Sequence, residues 1–213
     1  MKKRIAITAI VATWMVAVNS MASTIVFEDA FNDVPSGAVS NSLRGWVITG
    51  VPYWNTTVGV GNSGGFYLRN ATASMRKDIN LTSAVTNGRA FTLKFDAWYE
   101  SATTNTQAGY VAITTDRGAT WTTNFTLSIT SPINVDYNSP GYTGPFTINI
   151  DTRGWTAEQL AGFGFKFSQK ATLNTDHFNV DNVQLSVIPE PATIGMIGLG
   201  ALITLLIRRF SGR

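Results

Sequence analysis

The sequence predicts an all-β fold in the form of a two-sheet antiparallel β-sandwich. Many segments alternate apolar and polar residues with a period of two, and polar turns rich in Asn, Gly, Ser and Thr separate them. The chain is poor in charged residues and rich in aromatic ones, a composition that favours strands over helices. Only Thr156 to Ala161 reads as a helical turn, so about ten strands are expected to form the core.

The clearest strand spans residues 90–100, where apolar residues occupy every odd position from Phe91 to Tyr99. The same spacing recurs in three later segments, with the apolar rows Phe125-Leu127-Ile129, Phe146-Ile148-Ile150 and Phe163-Phe165-Phe167. Weaker strand candidates are Thr24–Phe27, Trp46–Thr49, Gly65–Arg69, Met75–Leu81 and Gly109–Thr115. One row of each strand is expected to face a core and the other row solvent.

The last strand changes its parity along its length. Apolar residues stand at even positions up to Val180 and at odd positions from Val183 onward. A β-bulge at residues 181–182 would reconcile the two halves. We expect this strand to pair near the first one.

The formal net charge of +3 arises at the two chain ends. Of the 16 Lys and Arg residues, three lie within the first four residues and three within the last six, whereas 12 of the 13 acidic residues lie between Ser23 and Val187. That segment carries about −2, which excludes the basic footprint of a nucleic-acid-binding domain. The absence of cysteine excludes disulfides, thiol nucleophiles and thiolate metal sites.

The N-terminus has the three parts of a secretion signal. Lys2-Lys3-Arg4 precedes an apolar run from Ile5 to Val18, and small residues end at Ala22. This pattern predicts a signal helix at residues 1–22 that is cleaved after Ala22, with the β domain following at residues 23–187. An uncleaved N-terminal anchor is the alternative.

The C-terminal segment, residues 188–213, predicts a sorting and membrane segment. Pro189-Glu190-Pro191 leads into an apolar stretch from Ala192 to Ile207, which is followed by Arg208-Arg209. As a helix, the apolar stretch would span about 24 Å, slightly less than a usual membrane span. The arginine pair would stay cytoplasmic and leave the β domain outside. A plain C-terminal anchor is the alternative reading.

These three elements in this order resemble the PEP-CTERM sorting signal of Gram-negative bacteria. The resemblance covers residues 188–210 and implies recognition by an exosortase, with cleavage near Pro189–Pro191. It further implies an inner-membrane intermediate, followed by release or attachment at the cell surface or in the extracellular matrix. The family is associated with exopolysaccharide and with biofilm or floc formation.

Four short motifs in the β domain resemble exported jelly-roll modules of the carbohydrate-binding and galactose-binding-like kind. They are Phe27-Glu28-Asp29, Gly45-Trp46, Thr115-Asp116-Arg117-Gly118 and Phe178-Asn179-Val180-Asp181-Asn182-Val183. The resemblance implies a jelly-roll-like sandwich for most of residues 23–187.

Residues 114–121 match the Asp-box pattern Ser/Thr-x-Asp-x-Gly-x-Thr-Trp. Asp116 can accept hydrogen bonds from nearby amides, Gly118 permits a positive φ, and Trp121 can pack beneath the hairpin. A single copy predicts a hairpin stabiliser and argues against a propeller, which would need repeats.

Glu28, Asp29 and Asp181 are candidate ligands of a structural calcium ion. Carboxylate oxygens at strand edges suit this hard cation, and the expected pairing of the first and last strands would bring the three residues together. The alternative is that these carboxylates cap turns or face water.

No catalytic centre is evident. His177 is the only histidine, and no Gly-x-Ser-x-Gly nucleophile elbow accompanies it. We expect His177 to begin the last strand. A pair of carboxylates for glycoside hydrolysis would depend on their separation in space, and the outward pair Asp96 and Glu100 equally fits a solvated sheet face.

Aromatic residues outside the core rows are the candidates for ligand binding, because exposed rings stack on sugars while nearby carboxylates bind hydroxyls. Trp98 lies in the outward row between Asp96 and Glu100, and Tyr137 and Tyr142 lie in a loop rich in Pro and Gly. Trp54 and Trp155 are expected to pack under loops or sheet edges instead.

The sequence therefore favours a non-enzymatic surface or matrix protein that engages extracellular polysaccharide. Two alternatives remain, a secreted glycan-active hydrolase and a purely structural or adhesion protein that binds other proteins.

Overall fold

The computed structural model describes residues 23–33, 37–38, 44–50, 52–56, 59–69, 73–86, 89–100, 107–129, 144–170 and 177–188. The strands are β1 (Thr24–Asp29), β2 (Gly37–Ala38), β3 (Trp46–Thr49), β4 (Tyr53–Asn55), β5 (Gly65–Arg69), β6 (Ser74–Asp78), β7 (Ala90–Glu100), β8 (Gln107–Thr114), β9 (Thr122–Ile129), β10 (Phe146–Asp151), β11 (Gly164–Lys170) and β12 (His177–Ile188). One α-helix, α1 (Ala157–Ala161), and two 3₁₀ turns, Val60–Asn62 and Ala84–Thr86, complete the set.

The strands form two antiparallel sheets, which confirms the predicted β-sandwich of the jelly-roll kind. The seven-stranded sheet has the order β10-β7-β12-β5-β4-β2, with β1 also paired to β12, and the five-stranded sheet has the order β3-β6-β11-β8-β9. Every pairing within the described ranges is antiparallel, as expected for a sandwich whose sheets each bury one face.

β12 is the longest strand and organises the seven-stranded sheet. It pairs with β7 along one side; on its other side its first half pairs with β5 and its second half with β1. The predicted pairing of the first and last strands is therefore confirmed, with Thr24 opposite Val187. Both ends of the described chain consequently meet at one pole of the sandwich, and His177 begins β12 at the opposite pole.

The predicted bulge in β12 is confirmed. The pairing of β12 with β7 shifts register between Asp181 and Gln184, and Asn182 adopts a φ of 49°. The Asn182 amide donates to Asp181 Oδ1 at 2.7 Å. The bulge restores the inward direction of Val183, which is 1% exposed, and so keeps both halves of the strand on the core.

The core between the sheets is dominated by aromatic side chains. Phe31 packs against Trp54 and Phe66 with ring centroids 4.7 and 4.9 Å apart, and Trp46 lies 5.8 Å from Phe165. Trp54 is 2% exposed, which confirms that it packs inward. Such rings contribute most of the apolar area that the fold removes from water, and cysteine is absent from the chain.

Gly109 of β8 makes room for one of these rings. A Cβ at this position would lie 2.3–2.5 Å from three ring carbons of Phe178 on the facing sheet. Any side chain here would overlap a fully buried ring, so the glycine is required by packing.

The predicted element boundaries hold with two omissions. β2 and β4 were not expected, because strands of two and three residues are too short to show alternation. The helical turn is confirmed as α1, which starts with a capping box between Thr156 and Gln159. Trp155, before this box, packs partly buried against the core as expected.

Among the residues that the structure describes, no helix is long and apolar enough to cross a membrane. Residues 1–22 and 189–213, which carry the predicted signal peptide and sorting segment, lie outside the described ranges. The domain boundaries at 22 and 188 therefore remain predictions.

Candidate functional site

Four neighbouring strands of the seven-stranded sheet place one side chain each in a single row on the outer face, which we call the outer row. The register pairs Trp98 with Asn179, Asn179 with Tyr67, and Tyr67 with Tyr53. The residues that alternate with this row are buried in the core cluster. The row lies near the pole at which β12 begins.

At the tyrosine end, the outer row continues into a stack of four side chains, the Tyr–Arg–His cluster. The rings of Tyr53 and Tyr67 are nearly parallel, at 5° and 5.4 Å. His177 lies 4.6 Å from the Tyr67 ring centroid, and the Arg69 guanidinium carbon lies 4.6 Å from that of Tyr53. All four residues are half-buried. The cluster thus combines aromatic carbon with hydroxyl, guanidinium and imidazole groups on an open sheet face.

The tryptophan end of the outer row differs from what the sequence predicted. Trp98 is 2% exposed, so the expectation that its ring faces solvent is wrong. Period-two alternation assigns a residue to a face of the sheet, but it does not reveal whether that face is covered. Asn179 beside it is fully buried, and neither its amide nitrogen nor its amide oxygen has a hydrogen-bond partner. An unsatisfied buried amide costs free energy and marks a special environment.

Two carboxylates follow Trp98 and Asn179 along the same face. Asp96 and Asp181 are directly opposite each other, at 8% and 0% exposure, so Asp96 does not belong to a solvated face. Asp181 Oδ2 accepts from the Val60 amide at 2.8 Å and from the Ser63 hydroxyl at 3.1 Å. Burial raises the pKa of Asp181 to about 6 against the lowering effect of these hydrogen bonds, and the neighbouring Asp96 raises it further.

The other predicted binding residues cannot be placed on this face by their side chains. Tyr137 and Tyr142 lie outside the described residues. Glu100 ends β7 and pairs with His177, which puts its backbone beside the Tyr–Arg–His cluster, but its side chain is not described. The sorting residues Pro189, Glu190, Pro191, Arg208 and Arg209 also lie outside the described ranges.

The residues proposed for calcium do not form one ligand set. Asp29 is buried and points into the core, where its carboxylate accepts from Trp46 Nε1 at 3.0 Å and from the Phe31 amide at 3.1 Å. Arg44 adds an ion pair at 2.9 Å. Asp181 is committed to other donors, and Glu28 is exposed on β1.

This donor arrangement does not fit a calcium ion. A cation needs carboxylates that converge on one point, whereas Asp29 already neutralises a guanidinium group and satisfies two N–H groups. Within the described ranges, no group of three or more His, Cys, Asp or Glu side chains is placed to hold a metal. The strands pair as predicted, but Asp29 and Asp181 engage different donors, because alternation along each strand directs the two side chains differently.

The Asp-box turn has the predicted hydrogen bonds. Asp116 accepts from the Thr114 hydroxyl at 2.6 Å, from the Thr120 amide at 2.9 Å and from the Thr120 hydroxyl at 2.5 Å. These bonds, led by that from Thr114, lower the pKa of Asp116 to about 2. Gly118 has a φ of 86°, and its carbonyl accepts from Trp121 Nε1 at 3.1 Å. The motif closes the connection between β8 and β9.

An open depression of about 710 Å³ lies between the Asp-box turn and α1. Asp116 and Glu158 are among its lining residues, and both carboxyl groups have a lowered pKa, led in Glu158 by a backbone hydrogen bond. Neither would hold a proton at neutral pH, so the pair lacks the general acid that glycoside hydrolysis requires.

The chain ends of the sandwich can now be compared with known proteins. Residues 187–209 match the model of the PEP-CTERM protein-sorting motif. The chain carries a PEP-CTERM sorting motif. The motif marks an exported protein that Gram-negative bacteria sort to the cell surface. It begins at Val187, which pairs with Thr24, so the sorting segment leaves from the pole where β1 starts.

Solved structures similar to this chain support the fold. The CBM22-1 xylan-binding domain of Paenibacillus barcinonensis Xyn10C matches with a TM-score of 0.51 and 10% identity, over 80% of this chain and 99% of that one. The CBM22-1–GH10 modules of Clostridium thermocellum endo-xylanase 10B match at 0.49 and 12%, over 79% of this chain and 29% of that one. A mannan-recognising carbohydrate-binding module, TmCBM27, matches at 0.44 and 14%, over 78% and 99%. No curated protein matches the chain.

Proposed function

We propose that this chain is a non-catalytic glycan-binding protein that an exosortase sorts to the cell surface, where its β-sandwich engages exopolysaccharide. The observation that carries the proposal is the Tyr–Arg–His cluster on the outer face of the seven-stranded sheet. Tyrosine rings supply apolar carbon for the C–H faces of a sugar, while the phenol, guanidinium and imidazole groups can bind its hydroxyls. The fold shared with a xylan-binding domain makes a sugar ligand reasonable for such a face.

The position of the cluster suits a protein held by its C-terminal tail. Thr24 and Val187 mark the pole where both chain ends leave the sandwich, and Arg69 pairs with His177 at the other pole. Eleven residue steps separate His177 from Ile188, which corresponds to about 36 Å of extended strand. An anchored or membrane-bound chain would therefore hold the Tyr–Arg–His cluster away from its point of attachment and towards the surrounding matrix.

The binding test uses the full chain, purified in a non-ionic detergent and titrated calorimetrically with exopolysaccharide from the producing cells and with xylan and mannan as defined probes. We expect saturable binding to at least one polymer without shortening of that polymer. Tyr67→Ala should weaken binding about tenfold, since an aromatic contact and its neighbours are lost together. Tyr110→Ala, which removes a half-buried tyrosine from the five-stranded sheet, should leave the affinity within about twofold of wild type. Equal affinities for both variants would contradict the proposal.

A hydrolase is the second candidate, and one observation favours it. Directly opposed carboxylates lie about 5 Å apart across an antiparallel pair, the spacing that retaining glycosidases use, and Asp181 has a raised pKa of about 6. However, Asp181 is fully buried and accepts three hydrogen bonds, and Asp96 is 8% exposed. Release of reducing ends by the wild type, abolished in Asp181→Asn, would establish the hydrolase and overturn the non-catalytic proposal.

A further inference from the structure

The outer face of the five-stranded sheet carries two cations directly opposite each other. Arg76 of β6 pairs in register with Lys166 of β11. Both side chains point outward, because Met75, Phe165 and Phe167 beside them are fully buried in the core. Like charges in directly opposed positions of a sheet destabilise it, so this arrangement calls for a compensating anion.

The protein supplies only part of that compensation. Asp78 binds Arg76 at 2.6 Å, but no carboxylate in the described part of the chain lies within ion-pair distance of Lys166. The Lys166 ammonium instead lies 4.2 Å from the Trp121 ring centroid. The pKa of Lys166 is lowered, first by burial and then by Arg76, so the free domain holds this charge in an unfavourable environment.

The Asp-box turn holds the two cations in place. A Cβ on Gly118 would lie 2.5 Å from Arg76 Nη1 and 3.1 Å from Trp121, so the glycine lets the turn close over the guanidinium group. The hydrogen bond from Trp121 Nε1 to the Gly118 carbonyl fixes the ring beneath Lys166. Asp116, the other carboxylate of the turn, accepts three hydrogen bonds from Thr114 and Thr120. The cations are thus pre-positioned, and the Asp116 carboxylate is occupied within the turn.

The surroundings of the cations are flat and rich in hydroxyl groups. Ser74 and Ser168 pair with each other next to Arg76 and Lys166, and Ala112 stands opposite Lys166 on β8. Small side chains on an open sheet leave room for an extended chain to lie across the strands, and serine hydroxyls can bind sugar hydroxyls.

We propose that Arg76 and Lys166, supported by Trp121, form a second binding site that takes the carboxylate groups of an acidic polysaccharide. The site lies on the sheet opposite the Tyr–Arg–His cluster and does not depend on it. A guanidinium group and an ammonium group that converge on one carboxylate make strong charge-assisted hydrogen bonds. With both faces occupied, one sandwich would crosslink two polysaccharide chains.

The test titrates the full chain, in non-ionic detergent, with polygalacturonate at low salt. Lys166→Gln should weaken binding about tenfold, the worth of one charge-assisted contact. Lys166→Arg should retain binding within about threefold. Lys94→Gln is the matched control, because it removes an exposed lysine from the seven-stranded sheet, and it should change the affinity less than twofold.

Two results would overturn the proposal. The first is an unchanged affinity of Lys166→Gln for polygalacturonate. The second is equally good competition by double-stranded DNA at the same charge concentration, which would show unselective attraction of anions. Tyr67→Ala should not alter polygalacturonate binding, and Lys166→Gln should not alter binding of a neutral polymer, so failure at one face is distinguishable from failure at the other.

Discussion

Asp181 of β12 lies directly opposite Asp96 of β7, and both carboxylates are buried on the outer face of the seven-stranded sheet. The β-bulge produces this arrangement. Asn182, in the left-handed region, donates its side-chain amide to Asp96 Oδ2 at 2.8 Å, while its backbone amide donates to Asp181. One residue therefore holds two carboxylates that would otherwise repel each other.

This pair gives the first prediction, which concerns pH and stability. The pKa of Asp181 is raised to about 6 from 3.8, so its favourable contribution is complete below pH 4 and is lost as the pH rises through 6. We expect the free energy of unfolding to fall between pH 5 and pH 7.5, by up to about 3 kcal/mol from this group. Asp181→Asn should flatten this dependence in urea unfolding curves. If the variant keeps the wild-type slope, the titrating group is a different one.

A second prediction concerns the buried carboxylate of Asp29. Asp29→Ala leaves Trp46 Nε1 and the Phe31 amide without their acceptor inside the core and should cost about 3 kcal/mol in urea unfolding. Asp33→Ala is the control, because Asp33 also binds Arg44, at 2.8 Å, but is 75% exposed. It should cost less than about 1 kcal/mol. Similar losses in both variants would contradict the assignment of Asp29 to the core.

The same contacts predict the response to metal. Because Asp29 and Asp181 engage different donors, calcium should not bridge the first and last strands. We expect the melting temperature of the full chain to be the same with 5 mM calcium as with excess EGTA, to within about 1 °C. A rise with calcium that Asp29→Ala or Asp181→Asn abolishes would restore the calcium site at these residues.

The packing of Gly109 against Phe178 gives a fourth prediction. Gly109→Ala should destabilise the domain by about 3 kcal/mol, because the added methyl overlaps a buried ring. Gly154→Ala is a matched control, since Gly154 has a φ of 85° but nothing within 4 Å of its Cβ position. It should cost only the conformational strain, about 1 kcal/mol. Thermal unfolding that ranks Gly154→Ala as the more damaging change would refute this view of the core.

The sorting motif predicts a processing defect. Replacing Arg208 and Arg209 together by Gln should trap the exported chain as a precursor that retains its C-terminal tail, because the positive end that orients the membrane segment is lost. Arg213→Gln should be processed normally. Intact-mass measurement of surface and membrane fractions reports the outcome. A wild-type chain that retains residues beyond Pro191 at the surface would argue for a plain anchor.

Alternation along the strands was sufficient to predict much of the fold. The boundaries of β7, β3 and β5 agree with the predicted ones, because each strand buries one row and its pattern is local. The parity change in β12 predicted a bulge for the same reason. The strands β2 and β4 were missed, although Tyr53 on β4 belongs to the candidate site. The parallel positions of Tyr53 and Tyr67 gave no signal, since β4 is too short to show a period.

The candidate site was predicted less well than the fold. Trp98 and Asp96 were assigned to the correct face, but both are buried, because coverage of a sheet face depends on segments distant in sequence. Similarly, Arg76 and Lys166 are 90 residues apart, and only the pairing of β6 with β11 makes them neighbours. A charge pattern along the chain carries no record of such cross-strand partners.

The sequence by itself determined the sorting motif, the strand periods, the bulge and the Asp-box turn, because each depends on residues within about ten positions of one another. The tertiary structure decided which side chains meet. It brought Tyr53, Tyr67 and His177 into one stack, directed Asp29 into the core and Asp181 to the loop beside β5, and set Arg76 against Lys166. These relationships depend on strand order and register, which arise when both sheets bury their apolar faces together.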